Sequence, residues 1–421
     1  MNILVLGSGG REHAMAAKIA ESPSCTKLVI APGNPGMANL GRTVNVALSD
    51  FDGISKLIFE EAIDCVVVGP EQPLVEGIAD FLEDAHPEVL VIGPKKYGAQ
   101  LEGSKAFAKE FMKQYNIPTA AYFECTKDNL DEGLKHLEQT SSPYVLKADG
   151  LAAGKGVLII SDLQEAKEEL TSMINGKFGE ASSTVVIEQF LSGIEFSVFV
   201  LTDGFEYVLL PEAKDYKRIG EGDTGLNTGG MGAVSPVPFF KGDVKIKTLH
   251  SIIEPTIQGL ASAGIPYVGF IFFGLILVDN EPMVIEYNCR MGDPETEAVF
   301  PRITSDVVAL FEAIRDGKLG SAELEVSKQE AGTIILVSGG YPGDYAKGLP
   351  IHMEAEMSGS KVFHSGTSMK EGQLVTNGGR VLAITSLDTN FQDALKTSKN
   401  NAQKIRFEGK YFRSDIGFDL I

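Results

Sequence analysis

The chain is short of positive charge: 37 lysines and arginines face 57 acidic residues, a formal net charge of −20 over 421 residues. That deficit argues against general binding to nucleic acid or to an anionic membrane. It leaves any anionic substrate to local backbone N–H clusters, a few cations or a metal. Cysteine is scarce as well. Cys25, Cys65, Cys125 and Cys289 are scattered with no CxxC pair, so neither a zinc knuckle nor a disulfide framework is indicated and reduced thiols are expected. No uncharged apolar run reaches the roughly 18 residues needed to span a bilayer. The opening MNILVLGSGGREH turns glycine-rich and charged before a signal-peptide pattern develops. A cytoplasmic protein is expected. What is present, 43% hydrophobic and 22% charged residues, fits a soluble chain with two to four cores.

Apolar runs at residues 2–6, 27–31, 64–69 and 88–93 read as buried strands, separated by helical patterns around 12–21, 51–61 and 74–85. Repeated strand–helix units imply a mostly parallel, doubly wound sheet. A second module starts near Ser104 with a helix over 104–115. Its glycine-rich turn lies between strands at 144–148 and 157–160, which makes it a hairpin-like flap. Strands at 184–189, 195–201 and 207–210 follow, then a helix over about 244–263 and strands at 268–277 and 283–288. From about Glu330 short strands and turns indicate a small C-terminal α+β domain.

Gly7-Ser8-Gly9-Gly10-Arg11-Glu12-His13 follows the first strand and opens a helix, so its N–H groups converge where an anion is stabilised. Arg11 beside that nest suits a phosphomonoester. The dinucleotide fingerprint G-x-G-x-x-G needs glycine where Glu12 stands, and no acidic residue closes the second strand, so a nicotinamide reading is weak. Residues 150–156, with Gly150, Gly154, Lys155 and Gly156, lack the P-loop arrangement and join two strands. They read as a plain hairpin or as a flap closing over a triphosphate. Lys147, on an apolar strand entering that flap, needs an anionic partner if buried.

Glu286 and Asn288 are two apart on a strand and point to one face. Two adjacent oxygen ligands suit magnesium, which keeps its other positions for water and phosphate. Arg290 continues the alternation, followed by Gly292-Asp293-Pro294-Glu295, a costly ordinary core and a sensible phosphoryl-transfer site. Residues 223–232, behind Lys214, Asp215, Lys217 and Arg218, form a surface loop or an adaptable loop around an anionic, hydroxyl-rich ligand. Glu188 and Gln189 end a strand, where backbone can pair with a nucleotide base, and Glu195 begins the next, where a carboxylate can take ribose hydroxyls.

Taken in order, GSGGREHA, VGPEQPLVEG, LEGSKAFAKEFM, LKADGLAAGKGV, DTGLNTGGMGA, IEYNCRMGDPE, SGGYPGDY and VTNGGRVL resemble the phosphoribosylamine–glycine ligases, or glycinamide ribonucleotide synthetases, of the ATP-grasp superfamily. The resemblance spans essentially the whole chain. It implies an α/β and α+β multidomain protein: a Rossmann-like domain over 1–103, an ATP-grasp body over 104–325 with a mobile lid at about 119–191, and a small α+β domain over 326–421. It implies a monomer whose partners are ATP, glycine and 5-phosphoribosylamine, with Mg2+ or Mn2+ at Glu286 and Asn288.

For ATP, the resemblance assigns Lys105, Lys147, Gly150, Gly154, Lys155, Gly156, Glu188, Gln189, Leu191 and Glu195. For the acceptor it assigns Gly9, Gly10, Arg11, Glu12, Asp215, Lys217, Asn227, Gly229 and Gly230. Arg290, Lys147 and Asp293 would carry catalysis. The chain departs from the family at Lys214-Asp215-Tyr216-Lys217, where Gln-Asp-His-Lys is usual, and at Leu226 and Met291, where proline and phenylalanine are common. Phe272-Phe273-Gly274 offers no second metal-binding carboxylate. Rival readings are another ATP-grasp ligase of purine metabolism, a nicotinamide oxidoreductase and a non-catalytic nucleotide-binding regulator.

Overall fold

The computed structural model describes residues 1–152, 156–354 and 357–420. Five parallel strands form the N-terminal sheet in the order Arg42–Thr43, Lys27–Pro32, Asn2–Gly7, Cys65–Val68, Leu90–Ile92. The sequence pattern explains it, since runs such as Leu4–Leu6 and Val66–Val68 are buried on both faces and helices cover them. The helical pattern at 74–85 is divided in the structure into Glu71–Glu76 and Ile78–Ala85. Gly77 sits between them at φ 99°, a left-handed turn open to glycine, so the register of the apolar face restarts there.

Two antiparallel sheets follow. The lid sheet runs Tyr122–Thr126, Thr184–Gln189, Tyr144–Ala148, Val157–Ile160 and has its own small core around Leu137, Leu146, Leu170 and Ile187. The body sheet runs Tyr207–Leu209, Ile194–Thr202, Gly269–Val278, Glu281–Asn288. The expected helix near 244–263 forms as Gly242–Thr248 and Glu254–Ser262, joined by a wider turn at Leu249–Ile253. The C-terminal sheet runs Lys214–Asp215, Gly232–Ser235, Glu330–Val337, Arg380–Asp388, Ser360–His364. Its first two strands come from the region assigned to the body, so the acceptor loop between them is suspended from the C-terminal sheet. Among the described residues no helix is long and apolar enough to cross a membrane.

The N-terminal helix Gly10–Ala20 meets the C-terminal sheet through a pair of buried histidines. The His364 N–H donates to His13 Nδ1 at 2.8 Å, and His364 Nδ1 lies 3.1 Å from the Thr367 hydroxyl. Burial, then the neighbouring His364, pushes His13 down to about 3, and burial pushes His364 down to about 4. Both groups are depressed relative to an unfolded value near 6.5, so their contribution is fully present above about pH 6.5. Below it the unfolded chain takes up protons that the fold refuses, and stability falls by about 1.4 kcal/mol per pH unit for each group until pH 3–4. Urea midpoints measured from pH 7.5 to 5 should fall less steeply for His13→Asn than for wild type. Identical slopes would acquit the histidines.

Candidate active site

A one-residue bulge decides where the expected metal ligands point. In the pairing of Glu281–Asn288 with Gly269–Val278, Leu275 faces Val284 but Gly274 faces Glu286, which leaves Ile285 as the extra residue. Before the bulge the core-facing residues are Pro282 and Val284; after it they are Tyr287 and Cys289. The alternation changes phase, and Glu286 and Asn288 turn out of the core together. Gly274 makes room, because a Cβ there would lie 3.0 Å from Glu286 Cγ.

Glu286 has no hydrogen bond or ion pair to any described residue; burial lowers Lys105 and the Glu286 charge only partly offsets it, while the charges of Glu195, Asp215 and Glu286 raise Lys217 against its burial. Asn288 satisfies its amide when the nitrogen donates to Glu102 Oε1 (3.0 Å) and to the Tyr287 carbonyl (3.1 Å), which turns its oxygen to the other side. Among the described residues no group of three or more His, Cys, Asp or Glu could hold a metal by itself. A free carboxylate beside a free amide oxygen therefore fits an ion that draws its other ligands from phosphate and water.

Glu102 was not legible as a site residue. It stands on the four-residue helix Gln100–Gly103 and looks like any solvated acid in sequence, yet it is buried. Its oxygens also accept from Arg290 Nη2 (2.6 Å) and the Cys289 N–H (2.8 Å). Glu71, from the first module, takes Arg290 Nε at 3.1 Å. Burial opposes the Arg290 charge, but the two carboxylates overcome it and raise its pKa further. The predicted charge stabiliser is thus a guanidinium fixed between two acids.

Lys147 is buried, and its partner is Glu188. Glu188 lies opposite Val145 in the lid sheet, so Lys147 is its diagonal neighbour on the same face. Lys147 Nζ reaches Glu188 Oε2 at 2.9 Å, and Lys109, from the helix Lys105–Gln114, reaches the same oxygen at 3.3 Å. Burial pushes Lys109 down to about 8 despite Glu188. Glu188, expected to face ATP, instead balances two lysines. Lys109 was missed because a lysine on an amphipathic helix normally reads as solvated. Lys105 Nζ donates to the Asp149 and Gly150 carbonyls at 3.3 and 3.4 Å, at the root of the flap. Gly156 is described there, whereas Gly154 and Lys155 lie outside the described residues. Gln189 ends its strand, and no backbone hydrogen bond engages Leu191 among the described residues.

Glu195, Ser197, Asp215, Lys217, Gly274 and Glu286 line one small cavity on the body sheet. Lys217 Nζ lies 2.8 Å from Glu195 Oε2 and holds that carboxylate below its usual range. Burial raises Asp215, and burial together with the Asp215 charge pushes Glu295 up to about 7; Ser197 donates to Glu295 at 3.1 Å. The sequence named Glu295 only as the end of the motif that follows Arg290, with no role of its own.

The expected phosphate nest holds an anion of its own. Gly9 N–H donates to Glu12 Oε2 at 2.7 Å, and Arg11 Nε lies 2.5 Å from Glu12 Oε1. Arg11 is buried and gives Nη1 to the Met291 carbonyl. Glu12 thus reaches back and takes the Gly9 N–H and the Arg11 Nε.

Next to the nest, Asp293 lies between Gly9 and Arg380, whose Nη1 is 2.9 Å from Asp293 Oδ1 and 2.5 Å from the Gly229 carbonyl. Tyr341 accepts from the Gly229 N–H at 2.9 Å. Gly230 packs on Pro294 at φ 115°, where a side chain would strike the proline ring. Gly10, Gly229 and Gly230 are brought to this junction. Asn227 is not, being exposed on the hairpin of Arg218–Gly220 with Thr224–Asn227.

Tyr216 resolves one departure from the family pattern. Asp215 and Lys217 face the cavity, so Tyr216 between them faces the opposite way. It is buried, and its hydroxyl donates to Asp419 Oδ1 at 2.7 Å, while Lys214 lies 4.6 Å over its ring. It ties the C-terminal segment to the acceptor loop and touches no cavity atom. Tyr216→Phe should lower stability by about 1 kcal/mol and leave turnover within about threefold of wild type. A hundredfold loss of turnover in a stable variant would place the hydroxyl in the chemistry.

Three family models match in chain order: the phosphoribosylglycinamide synthetase N domain over residues 1–102, the ATP-grasp (A) domain over 103–296 and the C domain over 331–419. The chain is 45% identical over 431 residues to a phosphoribosylamine–glycine ligase of Vibrio vulnificus, covering 100% of this chain and 99% of that one. A crystal structure of a phosphoribosylamine–glycine ligase from Thermotoga maritima aligns at TM-score 0.86 and 35% identity, over 99% of this chain and 100% of the other. The biotin carboxylase domain of Hydrogenobacter thermophilus 2-oxoglutarate carboxylase shares the fold at TM-score 0.74 and 16% identity, over 100% of this chain and 95% of that one.

Proposed function

The chain belongs to the phosphoribosylglycinamide synthetase family, and we propose that its cleft joins glycine to 5-phosphoribosylamine at the cost of ATP, giving glycinamide ribonucleotide, ADP and phosphate. It is an ATP-dependent ligase of purine biosynthesis. The single observation that carries the residue-level reading is the phase change at Ile285, which turns Glu286 and Asn288 to one face out of the core and brings Glu286 onto the cavity shared with Glu195 and Lys217.

In this reading the adenine pairs with backbone at Gln189 and Leu191, Glu195 takes the ribose hydroxyls, and Lys147 and Lys105 hold the phosphates under the flap. Glu286 and Asn288 would hold Mg2+, or Mn2+ in its place, which supplies neutralisation of the phosphate oxygens when bound. The glycine carboxylate oxygen attacks the γ-phosphorus and the bond to the ADP oxygen breaks, forming glycyl phosphate. The ribosylamine nitrogen then attacks the acyl carbon, phosphate leaves, and the nitrogen gives up a proton.

Arg290, fixed by Glu71 and Glu102, stabilises the charge that spreads in both steps. Asp293 orients the acceptor between Gly9, Gly10 and Gly229, Gly230. The closed lid excludes water, which would otherwise hydrolyse the acyl phosphate. The acid excess supports a cytoplasmic protein without nucleic acid or membrane partners, and we propose that it works as a monomer.

The test is ADP release with ATP and magnesium, omitting glycine and freshly made phosphoribosylamine in turn, with mass detection of glycinamide ribonucleotide. Product appearing only with both substrates supports the reading. ADP release driven by another carboxylate or acceptor, with neither of these needed, would assign the same fold to a sister activity.

A further inference from the structure

Among the described residues, Glu297 is a buried carboxyl group with both oxygens left without a hydrogen-bond partner. It sits on the short helix Glu295–Val299 and is wholly buried. All three parts of the chain enclose it. Gly10 of the first module leaves the space for it, since a Cβ there would strike Glu297 Oε1 and the hydroxyl of Ser365, which follows the strand Ser360–His364, and Arg380 approaches from the C-terminal sheet. The charged groups facing it are Asp293, one turn earlier, and Arg380. Arg380 spends its Nη1 on Asp293 and on the carbonyls of Asp293 and Gly229. It does not hydrogen-bond Glu297.

An ionised carboxylate in that position would be buried with no donor on either oxygen, an arrangement costing several kcal/mol. A neutral carboxylic acid has a proton to give, and Asp293 is the acceptor beside it. Burial and the Asp293 charge both push Glu297 well above the usual carboxylate range, in agreement with the geometry. Asp293 is meanwhile held by Arg380 on its other side.

We propose that Glu297 is a neutral acid at the three-part junction which donates its proton to Asp293 and so fixes the carboxylate that orients the acceptor. Glu297 is therefore a positioning residue that touches no substrate. Its effect on the acceptor rests on the functional reading above; its protonation and its bond to Asp293 do not.

Two measurements separate these. Infrared difference spectra of wild type minus Glu297→Gln at pH 7.5, without substrates, should contain the C=O stretch of a protonated carboxylic acid. Absence of that band overturns the proposal whatever the activity.

In the second, glutamine keeps a donor for Asp293 and the same shape, whereas leucine keeps volume without a donor. Glu297→Gln should retain a KM for phosphoribosylamine within about threefold of wild type. Glu297→Leu should raise it about tenfold, the worth of one lost charge-assisted hydrogen bond, with the KM for ATP unchanged. A Gln variant that folds but is impaired as much as the Leu variant would show that the charge matters and would overturn the proposal. A protonated-acid band with no effect of either variant on the acceptor KM would keep the neutral acid, but overturn the role of Asp293 in holding this acceptor.

Discussion

Glu286→Ala is expected to leave a folded protein whose ADP release with glycine and phosphoribosylamine falls on the order of a thousandfold, the scale of losing a metal-positioning or charge-stabilising group. The fold should survive because Glu286 makes no hydrogen bond or ion pair to the described residues, and its partner across the sheet is Gly274. Nothing is left unsatisfied when it goes. The site is affected twice. The Asn288 oxygen becomes the sole protein ligand of the pair, and Lys105 and Lys217 lose the nearby negative charge that supports their protonation. Steady-state turnover against magnesium concentration, together with a thermal melt, reads both effects. Near-normal activity at low magnesium would remove Glu286 from the site.

Lys147 and Glu188 should part company in a second experiment, one losing function and the other stability. Lys147→Met leaves Glu188 matched by Lys109 alone, so the buried charges still cancel and the melt should move little. The KM for ATP should rise about a hundredfold, as expected for a lost charge-assisted contact of roughly 3 kcal/mol. Glu188→Gln does the reverse. It strands two ammonium groups beside the lid sheet, at a cost of about 3–5 kcal/mol, partly relieved because Lys109, already pushed to about 8, can release its proton. Urea unfolding and ATP kinetics on both variants decide the matter. A Lys147→Met protein with unchanged ATP KM would take Lys147 away from the phosphates, and an undiminished Glu188→Gln melt would deny the charge balance.

The parts of the site that were legible share a property: their chemistry is carried by residue type and local spacing. Lys147 on an apolar strand demanded an anion, and Glu286 and Asn288 two apart demanded a shared face. The glycines of residues 229–230 marked a surface loop or one that adapts around a ligand. The missed residues share the opposite property. Glu102, Lys109 and Glu297 are ordinary charged residues on helices, and only burial by distant segments separates them from solvated ones. Arg380 and Tyr341 belong to the C-terminal segment and reach Gly229 across more than a hundred positions. No local pattern encodes such a contact. In the same way, whether Glu12 points to solvent or turns back onto the Gly9 N–H depends on the space left by Gly7 and Gly69.

The sequence by itself determined the strand and helix alphabet, the parallel first module, the pairing of Tyr144–Ala148 with Val157–Ile160 and the placing of Glu286 and Asn288 on one face. These follow from periodicity and turn chemistry, which act within a few residues. Only the tertiary structure decided which face that pair would occupy. An unbulged strand continuing from Pro282 and Val284 would have sent both ligands into the core. The extra residue at Ile285 reversed the phase, and its position is fixed by pairing with Leu275 and Gly274, ten residues and a turn away. Pairing register is a property of two strands together, so a site that depends on it is settled only when they meet.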